Sequence, residues 1–259
     1  VALRLVDRAR PHGGVVRTLT LARPERRNAL DQDHLEALIS AVRDAEADEN
    51  VRVIVIAGEG TAFCAGYDLG NPLASSNGEA PDSLVLQSMA AVQRCALPTL
   101  ARVHGPAFGA GLHLAIACDL RLATSQASFC LPPAKLGIAY APEGLARLVS
   151  LVGTSKARRM AFTGEVLKAE AASSSGLVDE LLSPDELDDR VEALANAIAD
   201  AAPLAVRAMK KSFNRLESSL LADERDEAER ERLACYASAD AAEGVLAFAK
   251  KRPPVFRGR

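Results

Sequence analysis

Apolar residues fall into two periods along the chain, and the alternation between them lays out the fold. Val15 to Leu21 (VVRTLTL) is apolar and β-branched, which predicts a strand. After a basic loop, Asp31 or Asp33 stands ready to cap a helix whose apolar positions Leu35, Leu38, Ile39 and Val42 recur at helical spacing. Val51 to Ala57 (VRVIVIA) is apolar at nearly every position, as expected of a strand covered on both faces. A helix follows from about Leu84 to Cys95, then a strand from Pro98 to Val103. A turn of small residues, Gly105 to Gly111, leads into a short apolar helix ending near Cys118. Asp119 to Ala123 reads as a strand, and Ser128 to Tyr140, with two prolines lacking backbone donors, as irregular chain. Pro142 suits the first position of a helix bearing Leu145, Leu148, Val149 and Val152, and Gly164 breaks the helical pattern that follows. Val178 to Leu182 is short and apolar. From Pro184 the pattern is helical. Pro203 opens one helix, and Ala222 to Ser238 forms a charged one with i,i+4 pairs such as Asp226 and Arg230. Strands alternating with helices, then helices alone, predict an α/β domain with a helical C-terminal region.

Composition narrows the function classes. The length of 259 residues suits one large domain or a domain with an appendage. A net charge of -3 gives no reason to expect nucleic acid or an anionic membrane as partner. No apolar run approaches a membrane span, and Val1 to Arg10 has no signal-peptide core, which favours a cytoplasmic protein. The five cysteines, Cys64, Cys95, Cys118, Cys130 and Cys235, are scattered without a Cys-x-x-Cys pair. They read as reduced thiols that fill the core, with no metal site. Asn71 to Asp82, rich in Pro, Ser and Gly, reads as a mobile loop.

Candidate chemistry gathers in two loops. In Val103-His104-Gly105 through Gly111 to Asp119, the turn lets backbone approach a ligand, and the helix after it aims free N–H groups and a positive dipole end at whatever lies in front. It is a candidate anion or oxyanion site with His113 one turn into the helix; a tight packing turn is the plainer alternative. The second loop, Gly58 to Leu69, leaves the carboxyl end of a strand, a common ligand position in α/β sheets. It completes neither a Walker motif nor Gly-x-Gly-x-x-Gly, which argues against nucleotide phosphates and nicotinamide, and no Gly-x-Ser-x-Gly elbow marks an α/β-hydrolase.

Three segments together, Phe63-Cys64-Ala65-Gly66-Tyr67-Asp68-Leu69, Gly105 to Asp119, and Leu136-Gly137 through Arg147 to Gly153, resemble the crotonase superfamily of enoyl-CoA hydratases and isomerases. Arg23-Pro24 to Asn28-Ala29-Leu30, Gly176 to Glu180, and Ala247-Phe248 to Phe256 are similar to that family too, in order and over nearly the whole chain. The resemblance implies a ββα superhelical core over residues 1–200. It also implies a helical region over 201–259 for oligomerisation and pocket closure, and homotrimers or dimers of trimers. The ligand would be an acyl-coenzyme A thioester, with coenzyme A entering only as part of the substrate and no separate cofactor. The resemblance gives the thioester carbonyl two backbone N–H donors, from Tyr67 and Ala110, which stabilise an enolate. It also suggests Arg27 near the phosphates, the Ala65 to Leu69 backbone, including Asp68 and Leu69, near the adenine, and Phe248 and Lys251 from the tail. Without it, Arg27 and Lys251 read as solvated charges and Phe248 as helix packing.

The resemblance also has a gap. Hydratases position water with two glutamates, one three residues after the turn's oxyanion residue and one four residues before the Gly137 position. Here those positions hold His113 and Pro133. Proline has no side-chain acceptor, so ordinary hydration is not expected. Decarboxylation, another lyase reaction or thioester hydrolysis suits the residues better, and a non-catalytic acyl-CoA binder is the alternative. His113 stands as acid, base or a neutral pocket histidine. Tyr140, where related decarboxylases of methylmalonyl-CoA carry a tyrosine, orients a carboxylate or simply packs. Glu143 acts as a displaced carboxylate or favours the first turn of its helix. Asp68 fits a structural cap better than a catalytic acid, Tyr67 lines the acyl pocket, and His104 ties down the turn. His12 and His34 read as surface residues.

Overall fold

The computed structural model describes residues 3–10, 13–70, 82–218 and 225–257, with the side chains of 218, 225 and 226 left aside. Its strands and helices run in the order β1 (Leu3–Ala9), β2 (Val15–Leu21), α1 (Gln32–Ala47), β3 (Val51–Gly58), α2 (Ser83–Arg94), β4 (Thr99–Val103), β5 (Pro106–Phe108), α3 (Ala110–Ala117), β6 (Leu120–Thr124), β7 (Ser128–Cys130), α4 (Pro142–Thr163), β8 (Val166–Lys168), α5 (Ala169–Ser174), β9 (Glu180–Leu182), α6 (Leu187–Asp200), α7 (Pro203–Ser218), α8 (Arg225–Tyr236) and α9 (Ala239–Ala249). The loop read at 71–81 and His12 lie outside the described residues, as does the Asp226 side chain of the expected Asp226–Arg230 pair.

Six strands form one sheet in the order β1-β2-β3-β4-β6-β9, parallel except for the antiparallel β1–β2 pair. A smaller sheet holds β5, β7 and β8. The apolar run of β3 follows from burial on both faces. Ile54 and Ile56 join the main core with Leu35, Leu38 and Met89, while Val53 and Val55 pack with Leu187 and Val191 of α6 on the other side. Asp31 caps α1, its side chain accepting the His34 N–H at 3.1 Å. Four of the five cysteines are buried.

Several expectations need correction. Residues 3–9 form a strand whose side chains after Leu3 are exposed, so it carries no apolar alternation to read. The small-residue turn contains β5, and the segment 128–140 contains β7 and a 3-10 turn over Pro133–Leu136. His34 is buried rather than at the surface, its Nδ1 lying 2.5 Å from Asp31 Oδ1. α4 is interrupted at Gly153 (φ 74°, ψ 159°) before its left-handed cap at Gly164.

α3 is unusual in being buried on every side, seven of its eight residues having no substantial exposure. Its last carbonyls meet two buried guanidinium groups. Arg121 donates to Cys118 O at 2.9 Å, and Arg147 donates to Cys118 O at 3.0 Å and to Ile116 O at 2.8 Å. Cations at this end complement the helix dipole and fix the helix axially. The opposite end, at Ala110, faces a large cavity.

Candidate active site

That cavity encloses about 870 Å³. Its walls come from the loop at Arg26–Ala29, the loop 65–70, the start of α2, the N-terminus of α3, the segment 130–141 and the C-terminal residues 236–254. All three tyrosines of the chain, Tyr67, Tyr140 and Tyr236, line it.

Two backbone donors are left unspent on one wall. Leu30 N–H donates to Gly66 O at 2.8 Å, and Asp68 N–H donates to Leu30 O at 2.8 Å. In this parallel bridge the N–H of Tyr67 points to the side away from Leu30. Ala110 is the first residue of α3, so its N–H has no partner within the helix. Among the described residues neither Tyr67 nor Ala110 donates a backbone hydrogen bond. The two segments lie close because residue 66 is glycine. Its φ is 105°, and a Cβ there would stand 2.8 Å from Phe108 O and 3.5 Å from Ala110 N. His104 secures the turn from below through Nε2–H to Gly60 O at 2.9 Å.

His113 and Tyr140 meet over the cavity with ring centroids 5.1 Å apart and planes inclined by 45°. Gly144 makes this possible: a Cβ there would lie 2.5 Å from Tyr140 Cε1 and 3.1 Å from His113 Nε2. Burial pushes the His113 imidazole down to about 4 and the Tyr140 phenol upward, so both are neutral near pH 7. The Tyr140 hydroxyl is buried and has no hydrogen-bond partner among the described residues. Pro133 also lines the cavity.

Of the other expected residues, Arg27, Ala65, Asp68, Leu69 and Phe248 line the cavity. Asp68 behaves as a structural group, accepting Gly70 N–H at 3.1 Å and pairing with Arg23 at 3.0 Å. Glu143 sits half-buried in the first turn of α4 and is not part of the described lining, and neither is the exposed Lys251 at the end of α9. Cationic lining residues that sequence reasoning missed are Arg26, Lys135 and Arg252. Also missed is Asp82, whose Oδ2 accepts Arg232 at 2.6 Å and the Tyr236 hydroxyl at 3.0 Å, tying α8 to the start of α2 across the cavity. The basic run Lys250-Lys251-Arg252 marked the right place without saying which residue turns inward.

The sequence pattern of the enoyl-CoA hydratase/isomerase family matches residues 12–259. A "probable enoyl-CoA hydratase echA6" of Mycobacterium bovis is 38% identical over 244 residues, covering 94% of this chain and 96% of the relative. A carnitinyl-CoA dehydratase of Salmonella paratyphi A is 36% identical over 256 residues, covering 95% and 96%. Among solved structures, a methylmalonyl-CoA decarboxylase in complex with 2-nitronate-propionyl-CoA superimposes with a TM-score of 0.90 at 26% identity, covering 100% of this chain and 99% of that one. The family match and the whole-chain likeness to a solved relative agree with the fold described above, and the chain belongs to the enoyl-CoA hydratase/isomerase family.

Proposed function

We propose that the cavity binds an acyl-coenzyme A thioester whose carbonyl oxygen accepts hydrogen bonds from the Tyr67 and Ala110 N–H groups. The observation that carries this reading is the pair of unspent backbone donors on one cavity wall, one of them at the N-terminus of a helix whose far end holds two guanidinium groups. When the α-carbon loses a proton or a substituent, charge collects on the thioester oxygen. Fixed donors stabilise that charge by roughly 3 kcal/mol each. Arg26, Arg27, Lys135 and Arg252 supply positive charge for the phosphates, and Phe248 supplies an apolar face. The exposed Lys251 serves a neighbouring subunit in this reading.

The reaction follows from what faces the acyl group. Water is not gripped between two carboxylates, because His113 and Pro133 stand at those positions. The site instead offers two neutral groups, His113 and Tyr140, the latter with a hydroxyl that has no partner among the described residues. Such groups suit an acyl group bearing a carboxylate, which Tyr140 orients. Loss of that carboxylate as carbon dioxide leaves the electron pair of the broken C–C bond in the enolate, and a proton from solvent then restores the α-carbon. The likeness to a solved methylmalonyl-CoA decarboxylase is consistent with this chemistry. The second reading, a non-catalytic acyl-CoA binder, draws support from the same neutrality, since neither His113 nor Tyr140 ionises near pH 7.

Mass spectrometry of crotonyl, longer enoyl, saturated acyl and methylmalonyl thioesters in deuterated water, with His113→Ala in parallel, separates these. Carbon dioxide loss or α-deuteration supports the enolate reading. Hydration of crotonyl-CoA at a hydratase-like rate overturns the argument against hydration from His113 and Pro133, and tight binding without turnover selects the binder.

A further inference from the structure

Arg23 lies outside the cavity lining, yet its guanidinium joins the two segments that hold Tyr67 in place. Nη1 lies 3.0 Å from Asp31 Oδ2 and 3.0 Å from Asp68 Oδ2, and it donates to Ala29 O at 3.3 Å. The three side chains are only 16–20% exposed, so the pairs are shielded from most competing water. Asp31 is itself anchored as the cap of α1, and Asp68 is the residue after Tyr67. Between these two anchors runs the Leu30–Tyr67 bridge, held by single backbone bonds on either side. The same stretch is tied further by the buried Asn28 amide, which donates to Glu59 O and Ala62 O at 2.8 Å each. Arg23 thus supplies the charged link across the bridge, and without it Asp31 and Asp68 would face each other as like charges.

We propose that Arg23 is a positioning residue: by bridging Asp31 and Asp68 it fixes the direction of the Tyr67 N–H, and so the polarisation of a bound thioester carbonyl. This rests on the reading of Tyr67 as a carbonyl donor. Donor direction matters because a hydrogen bond weakens steeply as it bends, and a small displacement at a reacting centre costs rate out of proportion to its size.

The test uses the full chain with butyryl-CoA carrying carbon-13 at the thioester carbonyl, read by isotope-edited infrared spectroscopy. In the unaltered protein the bound carbonyl stretch shifts to lower frequency than in water. Arg23→Gln loses at least half of that shift, Arg23→Lys recovers part of it, and affinity for coenzyme A itself changes less than about twofold, since Arg23 is not itself a lining residue and meets the cavity wall only from behind, through Asp68 and the Ala29 carbonyl. Should Arg23→Gln not fold, Asp68→Asn cuts only the second link and is expected to lose the shift likewise. A shift kept in full by the Gln and Asn variants overturns the role of Arg23 while leaving the donor reading intact. A carbonyl unshifted in the unaltered protein overturns the donor reading, and the role of Arg23 with it.

Discussion

The imidazole of His113 carries the sharpest consequence at the scale of single residues. Burial alone holds it down to about 4, against 6.5 for an exposed histidine. The unfolded chain therefore binds a proton below pH 6.5 that the folded chain refuses. The stability tied to neutral His113 is complete above pH 6.5 and is lost as pH falls towards 4. The difference amounts to roughly 3 kcal/mol across that window. Chemical denaturation of the protein and of His113→Gln should show the loss flattened in the variant, while the ring proton shifts of His113 stay constant from pH 8 to 5. A titration midpoint for His113 near 6.5 would contradict this. Gly66 carries the second prediction. Gly66→Ala forces a side chain into φ 105° and against Phe108 O, costing about 1–3 kcal/mol of stability. It also displaces the Tyr67 donor, so thioester turnover should fall about a hundredfold in steady-state assays, more than coenzyme A affinity does.

Among the elements, α3 shows why the site lies where it does: a helix buried nearly all round, capped at its C-terminus by Arg121 and Arg147, presents its free N-terminal donors to the cavity. Arg147→Met leaves Ile116 O without a donor and Glu217 without its cation, and should lower the unfolding free energy by about 2–3 kcal/mol in urea titration. How much of this was legible in the sequence depended on where each element lies. β3 could be read because both its faces are buried, and α1 because a capping aspartate precedes a helical apolar period. β1 could not, because an edge strand with exposed Arg4, Asp7 and Arg8 shows no alternation, and such charges are what keep an edge from pairing. β5, β7 and β8 have three residues each, too few for any period to appear. In the site, the glycine turn and His113 stood out because local chain geometry creates them. Arg252, Lys135 and Asp82 did not, because only tertiary packing decides which surface charge turns towards a cavity.

For the whole molecule, the C-terminal region contributes Tyr236, Phe248 and Arg252 to the cavity wall and leaves apolar surface uncovered. On α7, Leu204, Met209, Phe213 and Leu216 are 80%, 55%, 64% and 67% exposed, more apolar surface than a single helix face keeps in water. The trimer implied by the resemblance would cover it. Light scattering is expected to give a multiple of the 27.3 kDa chain, and Phe213→Glu with Leu216→Glu to release monomers. A monomeric unaltered protein would contradict this. Among the described residues no helix is long and apolar enough to cross a membrane. The proposed function requires one geometry, a thioester carbonyl between two backbone donors, and a crystal structure with a saturated acyl-CoA tests it directly. The carbonyl oxygen is expected within about 3 Å of both Tyr67 N and Ala110 N, with the acyl chain towards His113 and Tyr140. A thioester bound with its carbonyl away from both nitrogens, or a coenzyme lying outside the cavity, would contradict it.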